Sequence, residues 1–153
     1  PDLRVTGIDM TEEMLRALRE KHPDKALRLI RGDYFACDFG RGAFDAVVSF
    51  ESLHHFPRAQ KLGLYRRVFA ALRPGGAFCN GDYMVETEAE EEALAREAAR
   101  LRAEARVPEG VFVHLDTPLA IAAEEALLRQ AGFSNVERLL REGNTTLLRA
   151  GRD

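Results

Sequence analysis

The chain has 153 residues, enough for one domain with a sizeable core and too few for two ordinary ones. Its hydrophobic fraction of 46% and charged fraction of 31% are those of a soluble globular protein. A formal net charge of −3 gives no general electrostatic reason to expect nucleic acid or an anionic membrane as partner.

The two cysteines, Cys37 and Cys79, lie far apart with no CxxC pattern and no histidine at ligand spacing, so neither a disulfide framework nor a zinc site is expected. No stretch approaches the roughly 18–20 apolar residues of a membrane span. The opening Pro1-Asp2 lacks the basic and then apolar character of a signal peptide. A reducing cytoplasm is the expected location, and the Arg-, Ala- and Leu-rich usage suits a GC-rich bacterial genome.

Strand-length apolar runs alternate with helix-period segments from one end to the other. Leu3 to Ile8 reads as a strand closed by Asp9. Thr11 then caps a helix whose Glu12 and Glu13 favour its positive end, with Met14, Leu15 and Leu18 on one face. His22-Pro23-Asp24 ends that helix, and Leu27 to Ile30 is the next strand, stopping at Gly32-Asp33. Phe44 to Phe50 is a nearly continuous apolar run, the pattern of a strand buried on both faces of a parallel sheet. Pro57 opens a helix with Leu62, Tyr65, Phe69 and Leu72 as its stripe, stopping at Pro74-Gly75-Gly76 before a strand over Ala77 to Tyr83.

Glu86 to Arg106 is Ala-, Glu- and Arg-rich with a thin stripe of Leu94, Ala98, Leu101 and Ala105, which suits either a solvated surface helix or a lid. Asp116-Thr117-Pro118 predicts the start of a further helix, ended by Ala131-Gly132. Val136 to Leu140 and Thr145 to Arg149, separated by Glu142-Gly143-Asn144, predict an antiparallel pair. The alternation implies an α/β fold with a mostly parallel open sheet and an antiparallel C-terminal strand.

In open α/β sheets ligands sit outside the carboxyl ends of the strands. Those ends here are Asp9, Asp33-Tyr34, the run from Phe50 through Glu51 to His54-His55-Phe56, and Asp82-Tyr83. An acidic residue at such a position suits ribose hydroxyls, so Asp9 is either a ribose ligand or an ordinary helix cap. Asp33 suits an adenine amine with Tyr34 packed on the ring, or a turn after Gly32.

At this point the chain resembles a family. The string Val5-Thr6-Gly7-Ile8-Asp9-Met10-Thr11 followed by Met14-Leu15 looks like the second-strand motif of class I S-adenosylmethionine-dependent methyltransferases. Gly32-Asp33-Tyr34 resembles their adenine-side motif, and Phe44 to Ser49 with Leu53-His54-His55-Phe56 resembles the fourth-strand motif of their small-molecule branch. Leu72-Arg73-Pro74-Gly75-Gly76 resembles the turn before the fifth strand, and Ala131-Gly132-Phe133 with Asn144 to Leu148 resembles the closing strands.

The resemblance implies a Rossmann-like sheet of order 3-2-(1)-4-5-7-6, with strand 7 antiparallel and strand 1 absent, and S-adenosylmethionine as cofactor. By that resemblance Asp9 contacts ribose, Met10, Asp33 and Tyr34 contact adenine, and Phe50 and Glu51 lie near the methionine moiety. The family's Gly-x-Gly-x-Gly loop should stand roughly twenty residues before Asp9. Only eight residues precede Asp9, and Gly40-Arg41-Gly42 opens no helix, so residues 1–153 read as a single methyltransferase domain truncated at its N-terminus. The helical insert at about 85–110 is either a solvated surface helix or a lid over the substrate pocket.

The expected reaction is methyl transfer to a small-molecule acceptor, and the candidate catalytic residues are His54, His55 and His114. His54 or His55 would serve as base if the acceptor must lose a proton, or else packs against or caps the following helix. His114 faces the substrate pocket, or else is a surface or packed residue. A metal site of Glu51, His55 and His114 is not expected, because no pair has helical ligand spacing. Two other readings stand beside this one. A nicotinamide-dependent oxidoreductase would also use an acidic residue at Asp9, but the chain has no Ser-Tyr-xxx-Lys set. A non-catalytic fragment would persist through self-association as a homodimer, or through a partner supplying the missing strand.

Overall fold

A computed structural model of the chain describes residues 3–108 and 110–153, so Pro1-Asp2 and the Glu109 end of the expected insert lie outside the described residues. The chain divides into two compact units, Pro1–Phe39 and Gly40–Asp153.

In the first unit β1 (Val5–Asp9) and β2 (Leu27–Arg31) form a parallel pair joined by α1 (Glu12–Lys21), with Val5 opposite Leu27 and Asp9 opposite Arg31. Helix α1 lies close because Gly7 has no side chain: a Cβ there would meet Leu29 at 3.1 Å and Leu18 at 3.4 Å. Leu15 is buried, whereas Met14, expected on the same face, is 61% exposed. Thr11 occupies the cap position but makes no side-chain bond to the helix. Its hydroxyl donates instead to Asp9 Oδ1.

The second unit holds β3 (Phe44–Phe50), α2 (Arg58–Ala71), β4 (Leu72–Tyr83), α3 (Glu88–Glu104), α4 (Ile121–Ala131), β5 (Asn135–Glu142) and β6 (Thr145–Gly151). Its sheet runs β3-β4-β6-β5, with β3 and β4 parallel and β6 antiparallel to both neighbours. With β1 and β2 taken as the family's strands 2 and 3, these orders are the 3-2 and 4-5-7-6 portions of the expected sheet.

Phe78, Asn80 and Asp82 alternate onto one face of β4, opposite Ala150, Leu148 and Thr146 of β6, and all six are buried. Tyr65 of α2 packs on Phe78 with ring centres 5.6 Å apart, and Phe133, after α4, closes against Phe69 and Phe78. The expectation that β3 is buried on both faces is corrected: Val48 is 72% and Phe50 68% exposed. These two residues pair with Cys79 and Gly81, which alternate to the face opposite Phe78, and β3 lies at the edge of its own four-stranded sheet beside β4.

The buried face of α2 is offset from the expected stripe, running through Lys61, Leu64, Tyr65, Val68 and Ala71. Lys61 belongs to it because its Nζ donates to Glu124 Oε2 of α4 at 2.8 Å, both side chains being fully buried, and Tyr65 donates to the other carboxylate oxygen. The helix expected to open at Pro118 begins at Ile121, for a reason that lies in the site described below. Helix α3 carries a complete capping box between Thr87 and Glu90 and buries only Ala98. Glu91 fastens it, accepting from Arg58 and from the Ala120 N–H. Cys37 and Cys79 form no disulfide. Among the described residues no helix is long and apolar enough to cross a membrane.

Candidate functional site

In the first unit, the carboxyl ends of β1 and β2 are tied by the Gly32 N–H donating to the Asp9 carbonyl at 2.9 Å. This brings the Asp9-Met10 and Asp33-Tyr34 segments together. Asp9 Oδ1 accepts from both the N–H and hydroxyl of Thr11 at 2.7 Å, while its Oδ2 takes no hydrogen bond from the described residues. Met10 is 61% exposed and Arg31 Nε reaches its carbonyl at 3.4 Å. Asp33 Oδ1 accepts from the Phe35 N–H at 2.8 Å, the geometry of an Asx turn, and the Tyr34 ring lies 5.0 Å from that of Phe35.

In the second unit the chain leaves β3 through Glu51, held at a φ of 46°, a left-handed conformation uncommon for a residue with a side chain. Two bonds hold it there: its N–H donates to the Gly81 carbonyl at 2.8 Å and its carboxylate accepts from the Thr145 hydroxyl at 2.7 Å. Phe50 stands over Gly81, where a Cβ would lie only 2.7 Å from its ring.

The next residues turn inward. Asp82, at the end of β4, is fully buried; its Oδ2 accepts from the Leu53 N–H at 3.0 Å and its Oδ1 lies 2.6 Å from His54 Nδ1. A carboxylate can only accept here, so His54 carries its proton on Nδ1 and presents Nε2 to the other side. On that side stands Asp116, with Oδ1 at 3.5 Å from His54 Nε2 and 3.3 Å from His55 Nδ1. His55 Nδ1 also lies 3.3 Å from the Leu115 carbonyl. Thr117 donates both its N–H and its hydroxyl to the His54 carbonyl, at 2.9 and 3.1 Å. This attachment explains the late start of α4: residues 116–117 are drawn to the histidines and do not cap the helix.

Burial works against charge on His54, yet the hydrogen bond and charge of Asp82, with Asp116 and Glu51 adding, outweigh it and raise its pKa above the usual 6.5. His55 goes the other way: burial first, then the positive charges of His54 and His114, lower its pKa despite the Leu115 carbonyl and Asp116. His114 is exposed and stands edge-on to His55 and Phe112, with ring centres 5.0 and 4.8 Å apart. Phe112 stacks on Phe56 at 5.3 Å. The structure thus brings the three expected histidines together. It adds Asp82 and Asp116, which the sequence shows only as a strand-end carboxylate and a helix cap.

A methyltransferase-domain family profile matches residues 1–76. A sterol 24-C-methyltransferase of Candida albicans is 30% identical over 81 residues, covering 50% of this chain and 21% of that protein. A fatty-acid O-methyltransferase of Mycolicibacterium smegmatis is 34% identical over 77 residues, covering 50% of this chain and 27% of that protein. The solved S-adenosylmethionine-dependent methyltransferase SibL aligns over 98% of this chain and 43% of its own, with a TM-score of 0.70 and 24% identity, a likeness of fold. Residues 1–76 thus carry the match to the methyltransferase-domain family, and the strand order agrees with the fold of the S-adenosylmethionine-dependent methyltransferases. The chain spans about a quarter or less of the length of the curated relatives described.

Proposed function

We propose that the protein transfers the methyl group of S-adenosylmethionine to a small-molecule acceptor with a largely apolar body. The observation that carries this reading is the histidine cluster at the carboxyl ends of β3 and β4, where titratable nitrogens stand against Phe56 and Phe112. The sterol and fatty-acid methyltransferases similar to this chain support an apolar acceptor.

The residues of the first unit fit the nucleoside part of the cofactor: Asp9 keeps one carboxylate oxygen for ribose hydroxyls, and Met10, Asp33 and Tyr34 serve as the adenine contacts. Phe50 and Glu51 are assigned to the methionine part. When bound, the cofactor supplies an activated methyl on a sulfonium, so alignment and water exclusion account for much of the catalysis. His54 is a positioning residue, pinned by Asp82 and Thr117. His55 is the proton acceptor when the acceptor group must be deprotonated. Its Nδ1–H donates to the Leu115 carbonyl, which leaves Nε2 with a lone pair, and burial keeps the ring neutral. His114 and Phe112 form the acceptor-side wall.

Arg102 of α3 donates to the Pro108 and Val111 carbonyls, joining the helical insert to the segment that carries His114, which suits a lid at about 85–110. A reducing bacterial cytoplasm is the proposed setting, consistent with two cysteines that form no disulfide.

Calorimetric titration with S-adenosylhomocysteine tests the reading. Saturable binding is expected, weakened about 10- to 100-fold by Asp9→Ala, the loss of a charged hydrogen bond. Thermal stabilisation by NAD and not by S-adenosylmethionine or S-adenosylhomocysteine would overturn it.

A further inference from the structure

We propose that His54 Nε2, His55 Nδ1 and Asp116 Oδ1 form a binding site for a divalent transition-metal ion of the zinc or ferrous class. The three ligand atoms lie within 4.8 Å of one another. The two distances to the shared carboxylate oxygen, 3.5 and 3.3 Å, match the spacing of about 3.3 Å between ligands held about 2.0–2.1 Å from a tetrahedral ion. Two imidazoles and one carboxylate on one side of an ion, with positions left open, is a ligand set used for both zinc and non-haem iron.

Three further features favour an ion here. His54 Nδ1 is bound to the buried carboxylate of Asp82, which fixes the tautomer that aims the Nε2 lone pair outward and raises its basicity, the usual support of a metal-ligating histidine. Thr117 holds the backbone beside Asp116 against the His54 carbonyl, so the carboxylate is held beside the imidazoles although its side chain is 55% exposed. The Nε2 lone pair of neutral His54 also faces the Asp116 carboxylate oxygen, an opposition that a cation between them relieves. A proton on His54 Nε2 relieves it as well, so proton and metal ion compete for this position.

Spacing along the chain conceals this site, because residues 54–55 and 116 meet only through the loop ahead of α4. The proposal stands on the second unit alone and does not depend on the methyl-transfer reading. The two are nevertheless linked, because an ion on His55 Nδ1 moves the ring proton to Nε2 and removes the base. A loaded site would promote deprotonation by polarising an acceptor oxygen at its open position.

The test is titration of chelator-treated, dialysed protein with zinc chloride by calorimetry, and with cobalt chloride by visible absorption. One ion per chain is expected, with the intense d–d bands of a low-coordinate cobalt site. Asp116→Asn and His55→Gln should each weaken zinc binding at least about tenfold, and Asp82→Asn about 10- to 100-fold through His54. Asp116 is half-exposed, so its variant should retain the wild-type circular dichroism and keeps the test valid if Asp82→Asn does not fold. Absence of saturable binding, or one-ion binding unchanged in both Asp116→Asn and His55→Gln, would overturn the proposal, the latter placing the ion elsewhere. S-adenosylhomocysteine binding by the same metal-free protein keeps failure here distinct from failure of the methyltransferase reading.

Discussion

His54 Nδ1 and Asp82 Oδ1 lie 2.6 Å apart, although 28 residues separate them in sequence, and both side chains are buried at the ends of neighbouring strands. Because this contact helps raise the pKa of His54, it links stability to pH. The sign follows from the direction of the shift. The stabilisation is fully present below the unfolded value of about 6.5 and is lost as pH rises through the folded value. Urea midpoints measured from pH 5 to 9 should therefore show an alkaline decline attributable to His54. Asp82→Asn should flatten that decline and lower stability at pH 6 by about 2 kcal/mol, the scale of a charged hydrogen bond.

The pair formed by Lys61 and Glu124 joins α2 to α4 with neither side chain reaching solvent. Removing one member leaves an uncompensated buried charge. Lys61→Met or Glu124→Gln should each destabilise by about 3–5 kcal/mol. The double variant Lys61→Met/Glu124→Leu should recover much of that loss, since an apolar pair avoids burying charge. Denaturant unfolding of the three variants checks this, and strict additivity of the two single losses would contradict it.

Gly81 leaves the space that the Phe50 ring occupies, since a Cβ would lie 2.7 Å from Phe50 Cδ2. Phe50 is 68% exposed, so Gly81→Ala should swing the ring outward at a cost of about 1 kcal/mol, the low end for overpacking. If Phe50 contacts the cofactor, S-adenosylhomocysteine binding should weaken severalfold while the unfolding midpoint moves little. Calorimetry and a thermal melt on the same preparation separate the two effects.

Arg152 Nη1 donates to the carbonyls of Phe69, Ala70 and Leu72 at 2.7, 3.0 and 2.6 Å, and its guanidinium lies 4.8 Å from the Phe69 ring centre. A cation at the C-terminal end of α2 complements the helix dipole and satisfies carbonyls that lack helical partners. Arg152→Ala should lower stability by about 1–2 kcal/mol, and Arg152→Lys should restore only part of it, because an ammonium lacks the planar fork. Urea denaturation of the two variants decides between a cap and a merely exposed arginine.

Periodicity and turn residues made the element order legible in the sequence. Strand-length apolar runs ending in Asp9, Asp33 and Asp82 placed the polar ends, and the glycine near residue 143 placed the closing hairpin. These signals are local, set by backbone preference and by the alternation of apolar residues over a few positions. The burial of Lys61 was not legible, because a lysine on a helix reads as solvated until its partner, 63 residues away, comes into contact. The exposure of Phe50 was equally hidden, since it depends on which face of β4 the helices cover.

The same division runs through the site. The sequence by itself determined that His54 and His55 follow a strand end and that Asp9 and Asp33 end neighbouring strands, because chemistry placed at a strand terminus is a local property. Only the tertiary structure decided that Asp82 would hold His54 and that Asp116 would leave a helix start to face both imidazoles. Those contacts cross 28 and about 60 residues of chain; satisfaction of a buried carboxylate selects the first and the Thr117 bonds to the His54 carbonyl deliver the second, conditions with no signature in spacing.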